Sequence, residues 1–331
     1  MNTIFKLAAA TAMSLTTVSA AYSAEQIRVL TPTWLGFAPV HVAIKNECFA
    51  KRDLDVTIRF EDDLANVMAA MTRGDIEIQM RSVGEYQGRP RDKDTPGIII
   101  GIIDESVGSD GIIADEKITT VADLKGKTIA AEPNIPSRLL LQMALREAGL
   151  SLADLNIKDI ASADTAAVFA DDSIAAIATY EPFMSQAIAN SSRAGAKQFL
   201  TSRDYPGLII DAIIARNDDL KASPKKYEKF LACIYEAVDF IHAEPQKFAE
   251  IVGPEFGLTA DEVTGIVKGS LAYTTLAQAL DYMGTNGKLG KLGTVFDTVM
   301  DLNLDNGAAD NKLVASEQID NSIISALPAT P

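Results

Sequence analysis

Hydrophobic and polar positions follow two distinct periods in the first third of the chain. In Leu54–Phe60 every second residue is apolar, which predicts a half-buried strand. In residues 63–72 the apolar positions recur at spacings of three and four, which predicts a helix that Gly74 ends. The neighbouring elements are of the same two types: strands over 25–30, 76–80 and 98–103, and a helix over 40–49. Strands that alternate with helices predict an α/β fold with a parallel sheet, in which the carboxyl ends of the strands carry binding residues.

The stretch Gly101–Ala114 joins two apolar runs through a polar connection that contains glycine. An ordinary turn is one interpretation, and a crossing between two lobes is the other. A second apolar run, Leu208–Ala215, is broken only by Asp211 and supplies a partner for the first crossing. Two crossings would divide the chain into a lobe made of both ends and a lobe made of the middle. The predicted lobes are 25–109 with 214–331, and 110–213.

The alternation of strands and helices restarts after the first crossing, with strands predicted over 128–131 and 174–179 and a helix over 137–148. From Ser223 onward the pattern is helical only. The predicted helices cover 223–242, 245–252, 259–271, 276–283 and 291–303. We therefore expect a two-lobe α/β protein whose helical C-terminal region covers the first lobe.

Residues 1–24 have the pattern of a secretory signal peptide. Lys6 precedes the apolar run Leu7–Val18, and small residues follow it. That run is shorter than the roughly 20 apolar residues of a spanning helix, which disfavours an uncleaved membrane anchor. We predict that the leader is cleaved and that the mature protein is periplasmic.

Charge and composition narrow the classes of function. A formal net charge of −15 opposes binding to nucleic acid or to anionic lipid. His41 and His242 are the two histidines, and no Cys/His spacing suits a zinc site, so we predict no metal, no cofactor and no catalysis. Cys48 and Cys233 can form one disulfide in an oxidising compartment or remain free thiols.

Several motifs resemble those of a known group of binding proteins. They are Trp34-x-Gly-Phe-x-Pro39, Asp104-x-Ser-x-Gly-x-Asp-Gly111, Val121-Ala-Asp-Leu-Lys-Gly-Lys127, Ala148-Gly-Leu150 and Ala178-Thr-Tyr-Glu-Pro182. Together they resemble the periplasmic substrate-binding proteins of taurine, aliphatic sulfonate, nitrate and thiamine-pyrimidine uptake systems. The resemblance runs over about residues 26–305. It implies a type II-like two-lobe protein, monomeric, that closes on a small solute and docks on an ABC permease in the inner membrane.

The candidate ligand-binding residues of the first lobe follow its predicted strands. Trp34 is the one tryptophan, and its indole can wall a pocket or pack its loop onto the first helix. Arg81, Glu85 and Tyr86 follow the strand over 76–80. Arg81 stands where the family often has a small hydroxyl residue, which leaves the ligand open.

The crossings and the second lobe supply the other candidates. The first crossing contributes Asp104 and Ser106, and the second contributes Asp211. Asp110 is interpreted as a residue that holds the crossing itself. The second lobe contributes Glu132, Asn134, Ser137, Arg138, Tyr180 and Glu181.

Glu181 and the start of the helix at Ser137 have specific predicted roles. The resemblance implies that Glu181, in its Glu-Pro position, faces the cleft. Ser137 begins a helix whose free amides suit an anionic group, and Arg138 in its first turn could clamp a sulfonate or carboxylate.

The excess of acids over arginines in this set bears on the ligand. A simple anion would be repelled, whereas a cationic amine or a zwitterion similar to taurine would fit. Its amine would face Glu181 and Asp104, and its acid group would face Arg81, Arg138 or the helix start. A pyrimidine-type amine stacked on Trp34 is the alternative ligand. The alternative functions are an enzyme of pyrimidine biosynthesis on the same fold and a sensor that presents its ligand to a receptor.

Overall fold

The computed structural model describes residues 24–328. Apart from Ala24, the predicted signal peptide lies outside these residues. None of the helices within 24–328 is long and apolar enough to span a bilayer.

In the part of the chain that the structure describes, the strands form three sheets of six, five and two strands. Their bounds are β1 Glu25–Thr31, β2 Leu54–Phe60, β3 Ile78–Ser82, β4 Ile98–Ser106, β5 Asp110–Ala114, β6 Thr128–Ala131, β7 Asn156–Asp159, β8 Ala176–Tyr180, β9 Lys197–Thr201, β10 Ile210–Ala215, β11 Leu271–Tyr273, β12 Gly284–Thr285 and β13 Lys288–Leu289. The predicted bounds of β2 and β6 are confirmed to the residue.

The α-helices pack around the two large sheets and, in the C-terminal region, also against one another. Their bounds are α1 Pro39–Lys45, α2 Leu64–Arg73, α3 Val83–Gln87, α4 Pro136–Glu147, α5 Ser162–Val168, α6 Phe183–Asn190, α7 Asn217–Ala222, α8 Pro224–Ala243, α9 Pro245–Phe256, α10 Ala260–Ser270, α11 Leu276–Met283, α12 Lys291–Asp305, α13 Ala315–Gln318 and α14 Ser322–Ser325. Short 3₁₀ turns lie at Leu35–Phe37, Ala50–Arg52, Val121–Leu124, Leu152–Asp154 and Ser202–Asp204.

The first sheet has the strand order β11-β4-β10-β3-β1-β2, and the second has the order β7-β6-β8-β5-β9. The predicted parallel pairing is present in both sheets, but each sheet also contains antiparallel pairs. Strand β1 is parallel to β2 and β3, but β10 is antiparallel to both β3 and β4. In the second sheet β5 is likewise antiparallel to β8 and β9. The cause is the double crossing, because β5 and β10 enter their sheets from the other lobe and therefore run against the local strands.

Two segments join the sheets, at residues 107–109 and 202–209. The polar connection predicted to begin near Asp104 starts later, since Asp104 and Ser106 still belong to β4. The Oγ atoms of Ser106 and Ser202 lie 2.8 Å apart, and the backbone N–H of Gly108 donates to Ser202 Oγ at 2.6 Å. Gly108 has a φ of +134°, a conformation that side-chain-bearing residues rarely adopt. The predicted lobe boundary at 213/214 falls inside β10, all of which pairs with the first sheet.

The C-terminal region is mostly helical, but the prediction that it is helical throughout is wrong. Strand β11 pairs antiparallel with β4 and covers that edge of the first sheet. Leu271 and Tyr273 are buried while Ala272 between them is exposed, which is the alternation of a half-covered edge strand. A three-residue strand between two helices is too short for a periodic pattern in the sequence to reveal it.

The first-lobe core lies between its sheet and the C-terminal helices, with α8 contributing the largest buried face. A disulfide joins Cys48, just after α1, to Cys233 in α8. The alternative that the sequence left open is thus settled in favour of the bridge, which links parts of the chain 185 residues apart.

Candidate functional site

A cavity of about 510 Å³ lies between the two lobes. On the first-lobe side it is walled by the segments that follow β1, β2 and β3. On the second-lobe side it is walled by the segment that follows β6 and by Tyr180 at the end of β8, with Asp110 and Asp211 of the crossing region at its base. The carboxyl ends of strands from both sheets therefore converge on one space, as the α/β pattern predicted.

Seven of the thirteen candidate residues line this cavity: Trp34, Arg81, Glu85, Glu132, Asn134, Tyr180 and Asp211. The charged lining residues that were not among the candidates are Asp62, Asp63, Arg89 and Asp110. The sequence held a signal for Asp62, because the strand predicted over 54–60 ends two residues before it. Asp110 was interpreted as part of the crossing only, although it lies at the cavity base.

Of the remaining six candidates, Tyr86, Ser106, Ser137 and Arg138 also lie outside the cavity lining. Tyr86 is fully buried and donates to the carbonyl of Gly97 at 2.9 Å. Ser106 contacts Ser202 at the crossing, as described above. Ser137 is buried in the first turn of α4, and Arg138 Nη1 donates to Asp159 Oδ1 at 2.8 Å. The arginine expected to clamp an acid group is thus engaged by a carboxylate of its own lobe.

Glu181 also lies outside the cavity lining. Its carboxylate accepts from Ser185 N at 3.1 Å and from Ser185 Oγ at 2.9 Å, at the start of α6. Burial raises the pKa of Glu181, and these two bonds from Ser185 oppose the shift. Successive residues of an extended chain point to opposite sides, so Tyr180 and its neighbour cannot both face the cavity. Tyr180 is the one that does.

The sixth candidate, Asp104, forms a buried acidic pair with Asp211 at the base of the site. The two residues are Cα partners on β4 and β10 and are 0% and 5% exposed. Trp34 Nε1 donates to Asp211 Oδ2 at 2.7 Å. Burial raises the pKa of Asp104 to about 8 and raises that of Asp211 well above its usual range, with the adjacent acid adding to the second shift. Asp211 lines the cavity, whereas Asp104 does not.

Asp110 and Glu85 extend the negative charge along the cavity wall. Burial, with added repulsion from Glu85 and Glu181, raises the pKa of Asp110 to about 7. Glu85 caps its own helix by accepting from the backbone N–H of Ser82 at 3.1 Å and from Ser82 Oγ at 2.8 Å. Its other oxygen accepts from Arg81 Nη1 at 3.1 Å.

Arg81 is the buried cation of the cavity wall. Its Nη1 is paired with Glu85, and its Nη2 donates to the backbone carbonyls of Glu61 at 2.5 Å and Asp62 at 3.3 Å. The Nε atom is buried without a hydrogen-bond partner among the described residues. Arg89, the other lining arginine, is half-exposed and paired with Asp310. Acidic groups therefore outnumber basic ones around the space, and both arginines already have acidic partners.

Two aromatic rings from opposite lobes close one side of the cavity. The centroids of Trp34 and Tyr180 are 5.8 Å apart, and the ring planes are nearly perpendicular at 88°. Across the mouth, Asn134 Nδ2 donates to the carbonyl of Arg89 at 2.9 Å. The space is thus bounded by acids at its base, aromatic faces on one side and a polar contact at its rim.

Gly36 makes room for the arrangement at the base of the site. A Cβ atom at this position would overlap both Trp34 Nε1 and the Asp104 carboxyl group. We expect Gly36→Ala to displace the indole and to lower the free energy of unfolding by about 1–3 kcal/mol, as overpacking of a buried site does. Urea denaturation and the emission maximum of Trp34 would measure the two effects.

Gly265→Ala is the matched control for Gly36→Ala, because no atom of the described residues lies within 4 Å of the Cβ that it would add. Gly265 is in the interior of α10, where alanine is the better helix former. A Gly36→Ala variant as stable as Gly265→Ala, with unchanged tryptophan emission, would contradict the close packing described here.

Comparison with known proteins agrees with this architecture. The model of the family described as NMT1/THI5 like matches residues 34–248. A Brucella abortus relative, provisionally named a binding protein, is 28% identical over 210 residues, which cover 56% of this chain and 63% of the relative. The matched region is therefore less than two thirds of that relative's length.

Solved structures show the same fold over most of the chain. The periplasmic aliphatic sulphonate-binding protein of Escherichia coli superposes with a TM-score of 0.75 at 19% identity, over 89% of this chain and 97% of that one. The periplasmic nitrate-binding protein of Synechocystis PCC 6803 superposes with a TM-score of 0.69 at 14% identity, over 91% and 85%.

These similarities define the class: the chain has the two-lobe fold of periplasmic solute-binding proteins, with its cavity between the lobes. Because the family model matches more than half of its length, the chain belongs to the NMT1/THI5-like family. The resemblance inferred from the sequence motifs is confirmed.

Proposed function

We propose that this protein is the periplasmic solute-binding component of an ABC import system and that it captures a small amine-bearing solute, cationic or zwitterionic. The observation that carries the choice of solute is the charge of the cavity. Asp110, Asp211 and Glu85 line it, while the two lining arginines are already paired with acids. An ammonium group placed among buried carboxylates gains charge-assisted hydrogen bonds that a simple anion would forgo.

A zwitterion such as taurine would be oriented by the same asymmetry. Its ammonium group would face Asp211 and Asp110 at the base. Its acid group would face Arg81 or the start of α4, where Ile135 and Pro136 line the cavity. Glu132 would not compete for the amine, because its carboxylate accepts from Ser162 N at 2.8 Å and Ser162 Oγ at 2.7 Å.

The proposed role is capture and delivery without chemical change of the solute. The part of the chain that the structure describes places no Ser, Thr, Cys, Lys or His in the cavity lining, so a nucleophile with an adjacent base has no support there. Binding would instead bring the lobes together about the two crossings, a hinge motion that monomeric binding proteins use. The closed lobes would then dock on the permease.

A matched trio of small solutes tests this proposal by thermal shift. We expect ethylamine and taurine to raise the melting temperature in a concentration-dependent way and ethanesulfonate to leave it unchanged. A ligand at one hundred times its Kd stabilises the folded state by about 2.7 kcal/mol. Stabilisation by ethanesulfonate alone would contradict the choice of an amine and would favour an anion-binding protein.

The two aromatic rings support a second candidate ligand, a heteroaromatic amine of the pyrimidine type. A flat ring could pack against Trp34 and Tyr180 while its amino group donates to Asp211. The matched probes are 4-aminopyrimidine and unsubstituted pyrimidine. Binding of the first without the second would favour this candidate, whereas binding of neither would remove it.

Import can be distinguished from sensing in the native host. Deletion of the gene should abolish growth on the bound solute as sole nitrogen source if the protein serves a permease. Normal uptake with a lost transcriptional response to the solute would instead indicate that the protein presents its ligand to a receptor.

A further inference from the structure

Asp104 is a buried acid that does not line the cavity and that the binding proposal above leaves unused. We propose that Asp104 is a positioning residue that shares one proton with Asp211, and that a cationic solute expels this proton when it binds. The proposal rests on the proposed function for the charge of the solute. The shared proton itself is a property of the solute-free protein and can be tested without any ligand.

The geometry of the pair is the first argument. Asp104 and Asp211 are Cα partners on neighbouring strands, and both are almost completely removed from solvent. Neither oxygen of Asp104 has a hydrogen-bond partner of good geometry among the described residues. A carboxylate is an acceptor only, so its contact with a second carboxylate becomes a hydrogen bond only when one of the two carries a proton.

The surrounding charges are the second argument. Around the pair lie Glu105 on β4, Glu85 on α3 and Asp110 on β5, and all three are acidic. Tyr273 on β11 donates its hydroxyl proton to the carbonyl of Leu35, and Trp34 donates to Asp211. Arg81 on β3 is the nearby cation, and it is paired with Glu85.

Within residues 24–328, no full positive charge is therefore left to compensate two ionised carboxylates in contact. Such a pair titrates as a unit and keeps one proton over a wide range of pH. The pKa of Asp104, raised to about 8 by burial, agrees with a proton that is retained near neutral pH.

A solute ammonium next to Asp211 supplies the missing positive charge. An opposite charge next to Asp211 lowers the pKa of the acidic pair. The O–H bond of the shared proton then breaks, and the proton passes to the buffer. The pair then has a higher pKa in the free protein than in the complex. The affinity for a cation should therefore rise by about tenfold per pH unit between these two pKa values, and level off once the free pair is ionised.

The one tryptophan of the chain reports on this proton directly, because its indole N–H donates to Asp211. We expect the fluorescence of the solute-free protein to show a transition as the pair loses its proton, at a pH well above the ordinary aspartate value of about 3.9. Infrared spectroscopy should show a protonated-carboxyl band at neutral pH. Its absence, together with a flat fluorescence profile, would overturn the proposal.

Two variants assign the transition to the pair. Asp104→Asn removes the partner that shares the proton, so the midpoint should fall by at least about one pH unit. Asp211→Asn should remove the transition. Glu105→Gln is the matched control on the same strand. The Glu105 carboxylate accepts from Gly207 N–H at 2.7 Å and is not the Cα partner of Asp211, so this substitution should shift the midpoint less than Asp104→Asn does.

An unchanged midpoint in Asp104→Asn would reduce Asp104 to a structural role and overturn the proposal. If that variant does not fold, the infrared band of the unaltered protein and its response to ethylamine decide the question, since the band must weaken when the cation binds.

Calorimetry with ethylamine tests the coupling to binding. The binding enthalpies measured in phosphate and in Tris at one pH should differ by the difference between the ionisation enthalpies of the two buffers, for about one proton released. Asp104→Asn should lower the number of protons released towards zero. Ethylamine that binds without proton release would overturn this inference while leaving the amine-binding function standing. No binding of any amine, with the fluorescence transition intact, would instead contradict the proposed function and retain the shared proton.

Discussion

Asp211→Asn is expected to weaken the binding of an amine by about 2–5 kcal/mol, the usual cost of removing one partner from a buried, hydrogen-bonded charge pair. The substitution keeps the shape of the side chain and its capacity to accept from Trp34 Nε1. It removes the negative charge that the ammonium group would meet at the cavity base. Isothermal titration with ethylamine, on protein checked by circular dichroism, measures the loss.

Two further variants show whether this loss is specific. Asp164→Asn changes an exposed aspartate of the second lobe and should leave the affinity unchanged. Glu181→Gln tests the sequence-based prediction that Glu181 binds the amine. Because the Glu181 carboxylate is bonded to Ser185 and lies outside the cavity lining, we expect this variant to lose stability and to keep most of its affinity. A larger loss of affinity for Glu181→Gln than for Asp211→Asn would reverse our assignment.

Removal of the Cys48–Cys233 disulfide is expected to have the largest effect on stability. The bridge closes a loop of 185 residues. In the chain-entropy model the loss of a loop this long costs about 5 kcal/mol of unfolding free energy. For a protein of this size, that corresponds to a fall in melting temperature of roughly 10 °C. Differential scanning calorimetry of Cys48→Ala/Cys233→Ala against the unaltered protein measures it.

Reductant supplies the control for the disulfide prediction. It should lower the melting temperature of the unaltered protein towards that of the double variant, and it should not affect the variant. Equal melting temperatures for the unaltered protein and the double variant, both without reductant, would show that the bridge adds little to the free energy of unfolding. This happens when the reduced unfolded chain already retains structure.

Local periodicity predicted the strands and helices well because each depends on residues that are close in sequence. The alternating pattern of Leu54–Phe60 gave the bounds of β2 to the residue. Strand direction depends on distant parts of the chain. The antiparallel placement of β10 follows from the return crossing at 202–209, and nothing within Ile210–Ala215 itself encodes it.

The candidate site was predictable as a region and less so as a set of side chains. The rule that ligands bind at the carboxyl ends of strands found Trp34, Arg81 and Tyr180. It could not decide which of the paired acids Asp104 and Asp211 faces the cavity, because their pairing joins strands β4 and β10, which are far apart in sequence. The engagement of Arg138 by Asp159, 21 residues away, depends on how α4 and β7 are placed within the second lobe and has no local signal.

The contact between Ser106 and Ser202 has a mechanical consequence for the whole molecule. The two connecting segments are not independent tethers, since the hydroxyl groups join them in the buried layer between the sheets. A separation of the lobes that keeps these bonds must pivot where they lie, so the two segments have to bend together as one hinge. Two spectroscopic labels, one on each lobe, would report the opening of the cleft about this pivot.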